Sequence, residues 1–248
     1  MQGMNVYDFG SQLLETGDLD PIYIMLHEGG LGPNTLKRWC LAYWCFYHAG
    51  VSSKIAEAPD FWAAMRQGQT DKWPRGTERR HFRGAASANA IEHLALLYPK
   101  PEDAVDDVST YTFADVSKRV QRWPLFGPWI AYKVADMLER VLDVPVNFDN
   151  CELAIYREPA AAAAMLGMSV QDTVTRLIQY FAVERGFMAP PSRDRLVNVQ
   201  EIETIMCKWK SHCGGHYPPG KDTREIRHGL NGWGPLADHL SQGLPNAH

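Results

Sequence analysis

Two stretches of the chain concentrate side chains that can hold anions and move protons. The first, Lys72-Trp-Pro-Arg-Gly-Thr-Glu-Arg-Arg-His-Phe-Arg83, sets Lys72, Arg75, Arg79, Arg80 and Arg83 against one acid, Glu78. Guanidinium forks match phosphate oxygens two bonds at a time, and the interleaved Trp73, His81 and Phe82 offer rings on which bases can stack. The competing reading is a solvated loop whose arginines pair with carboxylates at the core edge. The second stretch, Cys207-Lys-Trp-Lys-Ser-His-Cys-Gly-Gly-His-Tyr-Pro-Pro-Gly-Lys-Asp222, places Lys208, Lys210, His212, Lys221 and Asp222 on a helix end and a Gly/Pro-stiffened loop, with Arg224 and Arg227 beyond. Such a mixture of titratable groups on a loop suits catalysis or anion binding better than packing.

Two motifs inside the second stretch fail on chemistry. Gly215-x-x-x-x-Gly220-Lys221 has the outline of a nucleotide phosphate loop, but Asp222 stands where the metal-binding Ser or Thr belongs. Pro218 and Pro219 also remove two amides that such a loop needs. Cys207, His212, Cys213 and His216 match no common zinc spacing, and Cys207 falls on the inward side of a helical pattern. A third charged region, Glu102 to Asp115, is acidic and reads as a solvated face turned away from any polyanion.

The elements that must position these groups are helical. Thr35–Ala49 is apolar on nearly every face and reads as a buried central helix closed by Gly50 at C′. Shorter helices are expected over Asp60–Arg66 and Ala85–Tyr98. Thr112 with Asp115 and Ser169 with Asp172 have capping-box spacing, and Pro128–Leu142 opens with Pro at N1. An alanine run follows Pro159, and Val199–Ser211 carries Ile202, Ile205, Met206 and Trp209 at helical spacing. Only Asp143–Tyr156 could be extended, and no alternating runs bounded by hairpin turns occur. The expectation is an all-α chain, one domain over 1–248, with Ala189-Pro-Pro-Ser192 as a hinge candidate.

The composition excludes several classes. Lys plus Arg total 25 against 29 Asp plus Glu, net −4, which speaks against a general nucleic-acid coat but leaves room for a local basic face. Five scattered cysteines do not form a disulfide framework. The start MQGMNVYDFG lacks the basic and apolar regions of a signal peptide, and no run of 18 apolar residues occurs. A reduced, cytoplasmic protein without membrane contact is expected. The 8 Trp and 10 Tyr can serve as core filler or as stacking platforms.

Trp123-Pro-Leu-Phe-Gly-Pro-Trp-Ile-Ala131 joins two of these helices through a tight turn. It resembles the helix–hairpin–helix of DNA glycosylases, whose loop in the alkylation-repair branch reads L-P-G-x-G-P-W-T-A. Gly127 would let a backbone approach, and free amides at the next helix start would hold a phosphate. Leu125 stands in place of the first hairpin glycine and Ile130 in place of threonine. The resemblance makes Asp149, in Val146-Asn-Phe-Asp-Asn-Cys151, the only candidate for the acid that follows the second helix. Trp129 occupies the position of the bifunctional enzymes' lysine, so lyase chemistry is not implied.

A broader resemblance spans nearly the whole chain. Arg38-Trp-Cys-Leu-Ala-Tyr-Trp-Cys-Phe-Tyr-His-Ala-Gly50, Trp73–Gly84, Phe126–Met137 and Cys207–Asp222 together resemble the phage amino acid:DNA transferases, also described as α-glutamyl/putrescinyl thymine pyrophosphorylases. The resemblance implies a glycosylase-derived helical fold. It further implies a substrate of 5-hydroxymethyluracil in double-stranded DNA, activated as its pyrophosphate by a separate kinase. An amine, typically that of an amino acid such as glycine, displaces pyrophosphate at the exocyclic carbon. Arg75, Arg79, Arg80 and Arg83, with Lys208 and Lys210, would clamp the leaving group, and Lys221, Lys133 and Gly127 would complete the anion-binding set. Asp149, His212 or Asp222 would take the amine's proton, and Trp, Tyr and Phe side chains would hold an extruded pyrimidine. Lys133 and Asp136, one turn apart, otherwise read as a surface ion pair worth under ~1 kcal/mol. No cofactor is required on this reading; a magnesium ion on the pyrophosphate stays open. Two other functions remain: a monofunctional glycosylase using Asp149, and a non-catalytic DNA-binding module.

Overall fold

Helical periodicity is realised as α1 (Val6–Thr16), α2 (Pro21–Glu28), α3 (Pro33–Phe46), α4 (Ala49–Glu57), α5 (Phe61–Thr70), α6 (Gly84–Leu97), α7 (Pro101–Val108), α8 (Phe113–Val120), α9 (Pro128–Arg140), α10 (Arg157–Met165), α11 (Val170–Ile178), α12 (Val199–Cys213), α13 (Lys221–Leu230) and α14 (Pro235–Ser241). This computed structural model describes residues 4–246. Among them there is no β-strand, only the isolated bridges Thr112–Asn147 and Met188–Leu196. The chain is all-α, and no helix of the described residues is long and apolar enough to cross a membrane. It divides into two compact units: residues 1–24, 148–225 and 244–248, and residues 25–147 and 226–243.

In the first unit α1, α10 and α11 pack on α12. Ile202, Ile205 and Met206 are fully buried on α12, the face that their i, i+3, i+4 spacing dictates. The helix starts with a capping box, in which the Asn198 amide N–H donates to Glu201 at 2.7 Å. Glu201, itself buried, receives both arms of Arg195 at 3.0 and 3.1 Å. Ser169 caps α11 by accepting from the Asp172 amide at 3.0 Å, as its spacing predicts. Beyond Ile178 that helix widens into a π-turn, Gln179–Glu184.

The second unit is built on α3, against which α4, α7 and α9 lie. Trp39, Trp44 and Phe46 are completely buried on it. The expected cap at Gly50 is not where this helix ends. Tyr47 closes it in the left-handed conformation (φ +51°), and Gly50 lies inside α4. A side chain at Gly50 would stand 2.3 Å from the Gly229 carbonyl oxygen, so close helix packing rather than capping requires glycine there. Thr112 caps α8, accepting from the Asp115 amide at 3.1 Å. Pro128 begins α9 as expected. The acidic stretch is not simply a solvated face: Asp106 pairs with Lys37 at 2.6 Å, and Asp107 accepts from the Tyr98 hydroxyl at 2.9 Å. Of the possible extended segment only Asn147 pairs, exchanging backbone bonds with Tyr111 and Phe113 at 2.8 and 2.9 Å.

Candidate active site

The arginine block of the second unit folds as a loop and a short 3₁₀ turn, Thr77–Arg79, ahead of α6. Gly76 anchors it. Its amide donates to the Phe46 carbonyl at 3.0 Å, and a Cβ there would meet the Tyr47 carbonyl oxygen at 2.4 Å. The block therefore lies against the C-terminal end of α3. None of Arg75, Arg79, Arg80 or Arg83 forms an ion pair among the described residues. The alternative of arginines neutralised by core-edge carboxylates is thereby removed.

The four arginines are not equivalent. Arg80 and Arg83 are exposed. Arg75 is half-buried over the Phe46 ring, 4.7 Å away, and donates to the Trp73 carbonyl at 2.8 Å and to the Gln69 side chain. Burial first, and then the positive charge of Arg83, lower its pKa, so these two cations repel without a carboxylate between them. Arg79 is buried between the rings of Phe82 and Phe126, each 4.6 Å from its guanidinium carbon. It donates to the Cys45 carbonyl at 3.3 Å and to the Leu125 carbonyl at 2.9 Å, while Nη2 is buried without an acceptor. Burial pulls its pKa down to about 10, so it is still cationic at neutral pH.

Arg79 thus ties the end of α3 to the hairpin between α8 and α9. The hairpin turns through a Phe126 N–H to Trp123 carbonyl bond of 3.1 Å. Its left-handed residue is Leu125 (φ +67°), half-exposed, and not Gly127, whose φ is −90°. A leucine in that conformation costs roughly 1–2 kcal/mol, and the Arg79 bond to its carbonyl offsets part of it. Gly127 has open space around it and caps α9 without a side chain. Beside the hairpin a ladder of rings runs from buried Trp39 to Tyr43 (4.9 Å), Tyr47 (4.5 Å) and half-exposed Trp129 (5.5 Å). We expect Arg79→Met to lower stability by about 3 kcal/mol, because two buried bonds from a charged donor are lost. Arg79→Lys should not rescue it, since one ammonium cannot span both carbonyls. Urea unfolding of both variants checks this.

Lys133 is not a surface cation. It is 9% exposed on α9, its ammonium 3.9 Å from Asp136, which is completely buried and also pairs with Arg140 at 3.5 Å. The surface ion pair read from the sequence is a buried charged triad.

The second basic stretch belongs to the first unit and is built differently. Lys208, Lys210 and His212 lie on α12, whereas Lys221 and Asp222 open α13 rather than extend a loop. Each of these lysines has a carboxylate: Lys208 with Asp222 at 2.6 Å, Lys210 with Glu158 at 2.5 Å, Lys221 with Glu225 at 3.7 Å. Asp18, 2% exposed, organises the loop between the two helices. It accepts the Gly220 amide at 2.7 Å, the Thr223 amide at 3.1 Å and hydroxyl at 2.8 Å, and the Tyr217 hydroxyl at 2.9 Å. Its own carbonyl takes the Lys208 ammonium at 2.6 Å. The amides that a phosphate loop would present are therefore occupied by a carboxylate of the chain.

Burial, then the charges of Asp222 and Asp18, raise the Tyr217 pKa far above the usual tyrosine range, so its phenol keeps the proton that it donates to Asp18. His212 stacks on Phe9 at 4.8 Å, and its Nδ1 lies 2.8 Å from the Tyr217 carbonyl oxygen. Asp149 is exposed on the turn that follows Phe148 and forms neither a hydrogen bond nor an ion pair with His212 or Asp222. The structure thus brings His212, Asp222, Lys208 and Lys210 together within one unit, and Arg75, Arg79, Arg80, Arg83 and Gly127 around the hairpin in the other. Among the described residues no group of three or more His, Cys, Asp or Glu is placed to hold a metal, and no disulfide joins the cysteines.

Asp18 and Tyr217 escaped the sequence reading. Asp18 sits in an ordinary turn sequence after a helix, and its partners lie about two hundred residues away. Tyr47 and Trp129 fell within blocks already singled out, but nothing in the sequence distinguished them from buried neighbours.

Comparison with known proteins identifies the family. The family model of the amino acid:DNA transferases matches residues 13–217, which run through both units. A glycinyltransferase of Pseudomonas phage PaMx11 is 39% identical, with 94% of this chain aligned to 92% of that protein. A putrescinyltransferase of Delftia phage PhiW-14 is 29% identical, with 96% of this chain aligned to 82% of its length. The chain belongs to the amino acid:DNA transferase family and is a transferase that modifies DNA.

Proposed function

We propose that this transferase moves glycine onto the exocyclic methylene of pyrophosphorylated 5-hydroxymethyluracil in double-stranded DNA, releasing pyrophosphate. The observation that carries the reading is the cluster of Arg75, Arg80 and Arg83, half-buried or exposed and in no ion pair among the described residues. Uncompensated cations cost self-repulsion in the resting protein and are repaid when a polyanion arrives. Preorganised guanidinium groups then stabilise charge as it builds on the departing pyrophosphate. The glycinyltransferase relative favours glycine; the putrescinyltransferase relative makes the amine the property that varies.

The helix–turn–helix of α8, the hairpin and α9 supports a glycosylase-like origin. Leu125 occupies the left-handed position that glycine fills in the glycosylase hairpin. The half-exposed rings of Tyr47 and Trp129, stacked beside it, suit an extruded pyrimidine. The whole chain acts as one transferase domain. It works with a kinase that supplies the activated base, in the cytoplasm of an infected cell, and needs no cofactor of its own; any magnesium would enter on the pyrophosphate. With activated DNA and glycine, pyrophosphate release should be strictly amine-dependent and leave no abasic sites. Abasic sites without pyrophosphate release would instead establish glycosylase chemistry.

A further inference from the structure

Resting on the reading of an extruded pyrimidine, we infer that Leu125 is a wedge: its side chain enters the DNA stack and fills the gap that the pyrimidine leaves. Leu125 is an apolar side chain outside the core, on a hairpin otherwise anchored inside it. Trp123 and Phe126, on either side of it, are buried and pack edge to face at 5.2 Å. Leu125 between them is 42% exposed. It also holds a left-handed backbone (φ +67°), which glycine adopts freely and leucine adopts at a cost. Burial does not offset that cost at an exposed position, whereas insertion between bases does.

The hairpin is a firm mount for this side chain. Buried Arg79 donates to the Leu125 carbonyl at 2.9 Å and to the Cys45 carbonyl at 3.3 Å, which ties the tip to the end of α3. The Phe126 amide closes the turn on the Trp123 carbonyl at 3.1 Å. Gly127 has open space on its Cβ side, which leaves room for a DNA backbone to approach. Exposed cations adjoin the tip: Arg122 stands three residues before it, and Arg80 follows the arginine that holds its carbonyl. Trp129, on the first turn of α9, lies 5.5 Å from Tyr47, and both rings are half-exposed. A single unit thus carries cations for phosphates, a ring pair for a base and an apolar tip.

Taking a pyrimidine out of a duplex breaks its pairing and its stacking on both neighbours. A leucine inserted at a base step replaces part of the lost contact and holds the step open. Leu125 in the gap keeps the orphaned purine and the neighbouring bases from closing over it, so the extruded base remains available to Tyr47 and Trp129.

The test uses the intact protein, glycine, and duplexes carrying pyrophosphorylated 5-hydroxymethyluracil with 2-aminopurine beside it, a base that brightens when unstacked. Leu125→Gly removes the wedge and relieves the backbone, so Tm should not fall. Adduct formation on the paired duplex should drop about 10–100-fold, but stay within about threefold on the same base in single-stranded DNA, where no stack has to be opened. Leu125→Asn, which also tolerates a left-handed backbone, should behave alike, and Leu125→Met, equally long and apolar, should keep most of the paired-duplex rate. The wild type should brighten 2-aminopurine on binding, and Leu125→Gly should not. Glycine and asparagine variants within about threefold of wild type on the paired duplex overturn the inference, as does an equal loss on single-stranded DNA. Brightening that depends on Leu125 but yields no adduct keeps the wedge and removes the transferase chemistry. An adduct without brightening removes the wedge and the extruded base and leaves the chemistry standing.

Discussion

Asp136→Asn should destabilise the protein by about 3–5 kcal/mol, the cost of breaking a buried ion pair from one side. The carboxylate is completely buried on α9 and is shared by Lys133 and Arg140, whose side chains are 11% and 2% exposed. An amide fills the same space but removes the negative charge that Lys133 and Arg140 share, so the loss is electrostatic and not a cavity effect. For a chain of this size each kcal/mol lowers Tm by roughly 2–4 °C, which puts the expected fall at about 6–20 °C in thermal unfolding followed by circular dichroism. The neighbouring Lys118→Ala on exposed α8 should stay within about 0.5 kcal/mol. A fall of less than about 1 kcal/mol for Asp136→Asn would mean that the triad is solvated in solution.

The second large effect is on turnover. Arg80→Ala combined with Arg83→Ala removes two exposed, carboxylate-free guanidiniums, and neither side chain has core contacts to lose. Stability should be unchanged, whereas kcat/KM should fall about 10²–10³-fold, the range seen when preorganised donors to a developing anion are deleted. Two kinds of phosphate could be involved, and they separate experimentally. Loss of DNA backbone contacts lowers the salt dependence of DNA binding by about one unit of slope per contact. Loss of the leaving-group clamp weakens inhibition by free pyrophosphate. We expect weakened pyrophosphate inhibition; a change in salt slope alone would reassign the pair to the DNA backbone.

Much of this was legible in the chain because local chemistry decides it. Thr112, Ser169 and Pro128 mark helix starts by side-chain bonds or a missing amide within a few residues, and the structure places all three where their spacing requires. Gly50 was misread because the need for glycine there comes from the Gly229 carbonyl, far away in sequence. Lys133 and Asp136 have the spacing of a surface pair; only the burial of the surrounding α9 turns them into a core triad. The two basic stretches look alike as strings of residues. What separates them is where the acids lie: Glu158, Asp222 and Glu225 pair with the lysines, whereas among the described residues Arg75, Arg79, Arg80 and Arg83 form no ion pair. Asp18 illustrates the same limit, since its role exists only once the chain has folded back on it.

The net charge of −4 fits this division. A catalyst that grips one pyrophosphate and a few backbone phosphates needs a small region where cations outnumber acids, not a basic surface. Its hold on unmodified DNA should be weak and salt-sensitive.

The most direct measurement of the central claim is nucleoside mass spectrometry after incubating the protein with isotope-labelled glycine and DNA carrying pyrophosphorylated 5-hydroxymethyluracil. The expected result is a heavier pyrimidine nucleoside that contains the label, formed in step with pyrophosphate release. An unchanged nucleoside pool, across glycine and a full panel of other amino acids and polyamines, would contradict it.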